Sequence, residues 1–370
     1  MIPYHYIRNT WYVIGFSHEF GTEQLNGLTV AGRPIVVWRT AEGKVVAFDN
    51  RCAHKRMPLS EGRIMPDGTL ECAYHGLCYN DAGQCVTVPA HPDGFVPPQA
   101  KLRPFPLIEQ DNVVWLWPGD PQRASEARPP RTPEFADDEW ESIGSEPMHV
   151  PANYLLLIEN LLDISHFYPL HDGNIGDAAN SRIPVEMVEG EEQGNRFVKT
   201  IRKVQNYEQP PFLADWFVYD VVDREHTHCM VCPGLTRVEM HVAPPGQLGT
   251  DAERGYVLCH THTPVDEKNH IWRWRVSCKA DHMSKGDPSK SAARRVVEMF
   301  PAVVEEDLWA LEKQQQMFDY PDEGYTEVYL RPDKALRRIR QIFAAAQRAE
   351  SQTAEQAVPL SRVAAEQDLL

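Results

Sequence analysis

Two short strings in the first quarter of the chain carry metal-ligand side chains at close spacing: Cys52-Ala-His54 and, seventeen residues later, Cys72-Ala-Tyr-His75. Each string offers one thiolate and one imidazole. Two of each, so placed, suit an iron–sulfur centre in which both cysteines hold one iron and both histidines the other; neutral imidazoles raise the reduction potential and fit the cluster to pass single electrons onward. A zinc site takes the same residue types, although zinc fingers normally pair Cys with Cys and His with His.

A second constellation lies further on. His166 and His171, four residues apart in His166-Phe-Tyr-Pro-Leu-His171, follow Asp163 by about one turn. Two imidazoles and one carboxylate on one face of an iron leave positions open for O2 and water. The carboxylate ligand must then come from another part of the chain. Taken alone, a histidine pair on an apolar segment reads equally well as packed core.

Longer strings around these residues resemble a known family. Cys52-Ala-His54-Lys-Arg-Met-Pro-Leu-Ser60 and Cys72-Ala-Tyr-His75-Gly76 resemble the two ligand loops of Rieske proteins, and Asn160-Leu-Leu-Asp-Ile-Ser-His166-Phe-Tyr-Pro-Leu-His171 is similar to the iron motif of Rieske oxygenases. The nearest branch is that of vanillate O-demethylase, dicamba monooxygenase and phthalate dioxygenase, and the resemblance runs from about Asn9 to Gln347. Many members have Pro-His-Arg where this chain has Ala53-His54-Lys55, a departure that leaves both ligands intact.

That resemblance implies a [2Fe–2S] Rieske cluster on Cys52, His54, Cys72 and His75, and a mononuclear Fe(II) on His166, His171 and an acidic residue at Asp307, with Glu305 and Glu306 as fallbacks. It also implies a homotrimer or a multiple of it, in which the cluster of one chain lies beside the iron of its neighbour. Asp163 would bridge His75 of one chain and His166 of the next and so orient the iron ligand. The implied activity is that of a terminal oxygenase using O2. Electrons would come from NAD(P)H through a separate flavin or ferredoxin reductase, since no phosphate-cradling G-x-G-x-x-G is visible in this chain. The implied substrate is a small aromatic compound, acidic by the lean of the branch, that is hydroxylated or oxidatively demethylated. An acidic substrate would call for a cation such as Arg182, Lys199, Arg202 or Lys203. The competing function is an electron-transfer protein, a Rieske domain fused to a ligand-binding domain, which needs only the first constellation.

The elements that must position these residues are of two kinds. From Trp11 to about Pro118, short runs rich in Val, Ile, Phe and Trp (Pro34–Trp38, Lys44–Phe48, Asn112–Trp117) are punctuated by Gly, Asn, Asp and Pro, which predicts a small antiparallel β domain. The polar, Pro-rich stretch from Gly119 to Glu146 reads as a linker. Asn153 to about His171 begins as a helix that Pro169 should end or kink. From about Pro184 to Val276 the pattern returns to β, with alternation in Trp216–Val222 and His270–Val276, as expected of a larger antiparallel sheet. Helices are expected over Ala292–Phe300, Glu305–Phe318 and Pro332–Arg348, with Pro332 in a first turn. The fold class is therefore α+β: a Rieske domain over 1–118, a linker over 119–150, a catalytic domain of sheet and flanking helices over 151–348, and a polar tail over 349–370.

Bulk properties limit the alternatives. At 370 residues the chain exceeds the usual size of one core, so two domains are expected. A formal net charge of −16 with no Lys/Arg cluster argues against a nucleic-acid partner, whose binding is driven by basic patches. The N-terminal stretch has no secretory pattern and no segment reaches the length of a membrane span, which places the expected location in the cytoplasm. Eight cysteines are too sparse for a disulfide scaffold and fit metal ligation better. Cys78 and Cys85 are read as packing residues. The third His/Cys cluster, His226–Cys232 with Cys259–His262, sits in an alternating β pattern that puts His226, His228, Met230 and Cys232 on one face and Cys229 on the other. Sheet packing or a pocket wall suits it better than a metal, and Trp216, Phe217 and Tyr219 are read as pocket wall or core.

Overall fold

In a computed structural model, the structure describes residues 6–356 apart from Gly173, Asp177 and Asp322. Ten short strands fill the N-terminal part: β1 (Tyr12–Phe16), β2 (Asn26–Val30), β3 (Arg33–Arg39), β4 (Val45–Asp49), β5 (Arg63–Ile64), β6 (Leu70–Glu71), β7 (Cys78–Tyr79), β8 (Cys85–Thr87), β9 (Leu107–Gln110) and β10 (Val113–Leu116). They pair into three small sheets in the orders β1-β10-β9, β2-β3-β4 and β5-β6-β7-β8. The apolar residues of β3 and β4 divide between two cores: Ile35, Val37 and Ala47 face the main core, while Val36, Trp38 and Phe48 join Cys52 and Cys72 in a separate cluster. Strand alternation thus lays an apolar floor beneath both ligand loops.

The second half is built on one eight-stranded antiparallel sheet. Its members are β11 (Trp140–Gly144), β12 (Met148–Val150), β13 (Glu186–Glu192), β14 (Asn195–Glu208), β15 (Val221–Cys232), β16 (Leu235–Ala243), β17 (Arg254–Pro264) and β18 (His270–Lys279). The order is β11-β18-β17-β16-β15-β14-β13, with β12 also on β18. Five helices accompany it: α1 (Tyr154–Leu162), α2 (Phe167–Leu170), α3 (Pro211–Phe217), α4 (Ala292–Phe318) and α5 (Lys334–Gln356).

Helix α1 is apolar on nearly every side and is buried on nearly every side. Asn153 starts it, accepting from the Leu155 N–H at 2.9 Å, and Asp163 ends it by capping the next turn, its carboxylate accepting from the Ser165 N–H at 2.8 Å and the Ser165 hydroxyl at 2.9 Å. The terminator is therefore Asp163 rather than Pro169, which sits inside α2.

Three further expectations change in the folded chain. Trp216 and Phe217 lie in α3, not in a strand: Pro211 opens that helix, and Val218, at φ 73°, closes it before β15 begins. The expected pair of helices around Pro301 is one continuous α4, with Asp307 within it. The segment read as a linker is tied down, since β11 pairs with β18 and Trp11 Nε1 donates to the Ala127 carbonyl at 2.9 Å. Contacts across the two halves, such as the Ala31 N–H on the Pro264 carbonyl at 2.7 Å and Arg273 on Glu19 at 3.0 Å, belong to a single packed body. Pro332 falls in the 3₁₀ turn Arg331–Asp333 leading into α5. That helix carries the first part of the expected polar tail to Gln356, and 357–370 lie outside the described residues.

Candidate functional site

The two Cys-His loops are built alike. In the first, the Cys52 N–H donates to the Met57 carbonyl and the Arg56 N–H returns to the Cys52 carbonyl, both at 2.9 Å; in the second, Cys72 and Gly76 repeat the pattern to Leu77 and Cys72 at 2.9 and 3.0 Å. The fifth residue of each turn is left-handed, Arg56 at φ 57° and Gly76 at φ 70°. A side chain at Gly76 would also meet Pro89 Cγ at 2.9 Å. These turns bury Cys52 and Cys72 against the apolar floor and leave His54 and His75 exposed, their rings 4.4 Å apart. Tyr79 O accepts from the Ala53 N–H at 3.2 Å and lies 3.2 Å from Cys52 Sγ, so its own proton is directed at the sulfur. Burial and that sulfur push its pKa upward and keep it a donor. Buried sulfurs with surface imidazoles suit a cluster whose histidine-bound iron faces outward. Among the described residues, no three of these four ligands bring atoms within 4.8 Å of one another, as a single zinc ion would need.

One group does meet that condition: His166, His171 and Asp307. Asp307 Oδ1 lies 3.6 Å from His166 Nε2 and 3.3 Å from His171 Nε2. Hydrogen bonds behind the rings fix which nitrogen faces inward. His166 Nδ1 donates to the Asp163 carbonyl, and His171 Nδ1 donates to Glu306 Oε2 at 2.7 Å. Both Nε2 atoms therefore bring lone pairs toward a carboxylate oxygen, and His171 Nε2 is fully buried with no hydrogen-bond partner. Burial opposes a charge on His171, but the Asp307 and Glu306 carboxylates outweigh it and raise its pKa; burial prevails at His166 and lowers it. Three acceptors converging in a buried site demand a cation, and the donor set N,N,O fits iron.

Comparison with known proteins agrees for both halves of the chain. Residues 10–106 match the Rieske [2Fe-2S] domain, and residues 150–349 match the vanillate O-demethylase oxygenase C-terminal domain. The chain belongs to the Rieske non-heme iron oxygenases. It is 31% identical to the vanillate O-demethylase oxygenase subunit of a Pseudomonas species, over 73% of this chain and 76% of that protein. To the oxygenase component of dicamba O-demethylase from Stenotrophomonas maltophilia it is 36% identical, over 50% of this chain and 54% of that relative. The crystal structure of dicamba monooxygenase bound to 3,6-dichlorosalicylic acid superposes with a TM-score of 0.83 at 27% identity, covering 94% of this chain and 99% of that one. The cofactors of this oxygenase are a Rieske [2Fe–2S] cluster and a mononuclear iron.

Of the fallback ligands, Glu306 turns its carboxylate to His171 Nδ1 and to Asn174 Nδ2, both at 2.7 Å, while Glu305 lies on an outer groove with Pro169, Leu170 and Trp309. Asp163 holds His166 through its main-chain carbonyl, and its carboxylate engages Ser165. Asn160 was not singled out as a site residue from sequence; its Nδ2 donates to Asp307 Oδ1 at 2.9 Å. A signal was present, because Glu159 and Asn160 are the two polar residues of an otherwise apolar helix, and Glu159 is taken up by Arg340.

Beside the iron site this oxygenase has a cavity of about 70 Å³, open at its mouth. Its walls are largely apolar, with Phe167, Leu213, Trp216, Met240 and Phe300 among them. Polar groups enter from the sheet. Arg224, His226 and His228 alternate along β15 and so share the cavity face, and His260 joins from β17. Burial lowers the pKa of His228 and of His260 to about 3, so both are neutral. His260 Nδ1 accepts from Trp272 Nε1 at 3.2 Å, which leaves its proton on Nε2. The third cluster is thus in part a pocket wall, and Trp216 is pocket wall while Phe217 is core. Cys232 departs from the expected face: a bulge after Met230 turns it into a separate core with Trp11 and Trp115. Cys229 lines a groove on the opposite face of the sheet. Cys78 and Cys85 are buried free thiols. Of the cations weighed for an acidic substrate, Lys199 lines that outer groove, Lys203 pairs with Glu225, and Arg202 is buried opposite His226 on the same sheet face without joining the lining; among the described residues Arg224 is the cation that lines the cavity.

Proposed function

We propose that this oxygenase hydroxylates or oxidatively demethylates a small aromatic, acidic substrate held in the cavity beside His166, His171 and Asp307. The observation that carries the reading is the adjacency of the convergent triad to a cavity with apolar walls and, among the described residues, one Lys or Arg in its lining, Arg224. Relatives named for vanillate, dicamba and toluene-4-sulfonate, all aromatic acids, support it.

Cys52, Cys72, His54 and His75 would hold the cluster; His166, His171 and Asp307 would hold the iron. When bound, the cluster supplies single electrons and the iron the site of O2 activation. The chain's own contribution is orientation. Glu306 and the Asp163 carbonyl set the two imidazoles, Asn160 sets the carboxylate, and the apolar walls keep bulk water from the reacting substrate. An NAD(P)H-dependent flavin or ferredoxin reductase would deliver the electrons.

A homotrimer, or a multiple of it, fits the surface. His54 and His75 are exposed beside Tyr74, Trp309 is exposed in the outer groove with Pro169 and Leu170, and Tyr168 is exposed next to it in sequence. A second copy docking one surface on the other would cover both and bring the Asp163 carboxylate toward a neighbouring His75. No helix among the described residues is long and apolar enough to cross a membrane, which accords with the cytoplasm as the proposed location.

The test is turnover of methoxybenzoates by the reconstituted enzyme with a reductase, NADH and ¹⁸O2. Formaldehyde release, or ¹⁸O in a ring hydroxyl, supports the reading. NADH oxidation with neither product from any aromatic acid contradicts it.

A further inference from the structure

His226 and His228 form a hydrogen-bonded chain in the cavity wall that iron binding does not use. Its direction follows from its anchor. His228 Nδ1 lies 2.5 Å from the Leu161 carbonyl, which accepts only, so Nδ1 carries the proton of this neutral ring and Nε2 carries a lone pair. His226 Nε2 lies 3.1 Å from that lone pair and must donate to it.

His226 is 2% exposed and neutral, since burial first, and then His228, Arg224 and Arg202, disfavour a charge on it. With its one proton committed at Nε2, Nδ1 is an obligatory acceptor. That atom is buried and has no hydrogen-bond partner. A buried acceptor left unmade costs about 1–3 kcal/mol, and His226 lines the cavity, where a donor on a bound molecule would satisfy it.

We propose that His226 is a specificity-determining residue, presenting a fixed acceptor that selects substrates carrying a hydroxyl or N–H donor. The inference rests on the cavity being the substrate site. The chain from the Leu161 carbonyl through His228 to His226 sets the polarity, so the acceptor cannot reverse into a donor without losing one of these two hydrogen bonds. His260, whose proton is held on Nε2 by Trp272, has the opposite polarity in the same cavity.

Calorimetric titration of the iron-loaded, cluster-containing enzyme tests this, with methoxybenzene and the three methoxyphenol isomers as probes. Wild type is expected to bind at least one methoxyphenol about tenfold tighter than methoxybenzene. The ratio should collapse toward one in His226→Phe and largely persist in His226→Asn, whose amide oxygen can stand near the position of Nδ1. Equal binding of all four probes by wild type, binding of none, or a ratio that survives in His226→Phe would overturn the proposal. Failure of the oxygenation reading shows differently: the ratio would be present, but NADH would be oxidised with no formaldehyde or ring hydroxyl from any methoxybenzoate.

Discussion

His171 donates from Nδ1 to Glu306 Oε2 at 2.7 Å, across 135 residues of sequence, and so enters the iron site with its Nε2 lone pair forward. The adjacent position, Asp307, lies about 100° further around α4, meets the Nε2 edge of the same ring at 3.3 Å and supplies the carboxylate. Neighbouring acidic residues thus divide the work of ligand and ligand holder. Glu306→Ala is expected to weaken mononuclear iron binding by about 10–100-fold with the cluster intact. Iron retained against a graded chelator challenge measures it, and an unchanged retention curve would remove Glu306 from this role.

Replacing a ligand should be more severe. His166→Ala is expected to lose mononuclear iron and product formation while keeping the visible spectrum of the cluster, because the Cys52 and Cys72 loops share no hydrogen bond with α2. Product formation by this variant would exclude His166 from the site.

Spacing alone marks the Cys-His loops, whereas the His166/His171 pair and Asp307 read as iron ligands through the family resemblance. The Cys-His strings and the His166/His171 pair are local, and hydrophobic alternation marked out most of the strands that carry the large sheet. What stayed hidden depends on contacts distant in sequence. Asn160 reaches Asp307 across 147 positions, and neither residue's neighbours announce the other. Trp216 and Phe217 looked like strand residues because aromatic and β-branched types cluster there, yet Pro211 and the left-handed Val218 make the segment a helix. The face assigned to Cys232 failed at a single bulge, which alternation cannot foresee. Helix α4 runs through Pro301 because the packing of its apolar face outweighs the missing hydrogen bond.

Asp163→Asn should leave both metals bound, since its main-chain carbonyl rather than its carboxylate contacts His166 within the chain. If the carboxylate bridges to a neighbouring His75, the variant will consume NADH and O2 with little product. The measurement is product formed per NADH oxidised; a ratio equal to that of wild type would dismiss the bridge.

A pH effect is expected far from the iron. Glu239 is held at about 2 by His241, whose Nε2 lies 4.0 Å from its carboxylate, and by its ion pair with Arg237 at 2.5 Å, against burial. A carboxylate whose pKa is depressed by folding stabilises the protein above its unfolded pKa, about 4.5, and the contribution fades as pH falls toward 2. Its side chain is 27% exposed, so the screened contribution is on the order of 1–2 kcal/mol. Wild type should therefore lose its stability advantage over Glu239→Gln between pH 5 and pH 2 in urea titrations, whereas a constant difference across that range would contradict the assignment.

The central claim is that one chain holds a Rieske cluster and a separate iron at His166, His171 and Asp307. The most direct measurement is iron and acid-labile sulfide per chain on anaerobically purified protein, read together with the electron paramagnetic resonance spectrum of the reduced form. About three irons and two sulfides with a Rieske signal is the expected result, and Asp307→Ala should lower the iron count by one and leave the signal unchanged. Two irons and two sulfides in wild type, unchanged after Fe(II) is added, would contradict the account and leave an electron-transfer protein in its place.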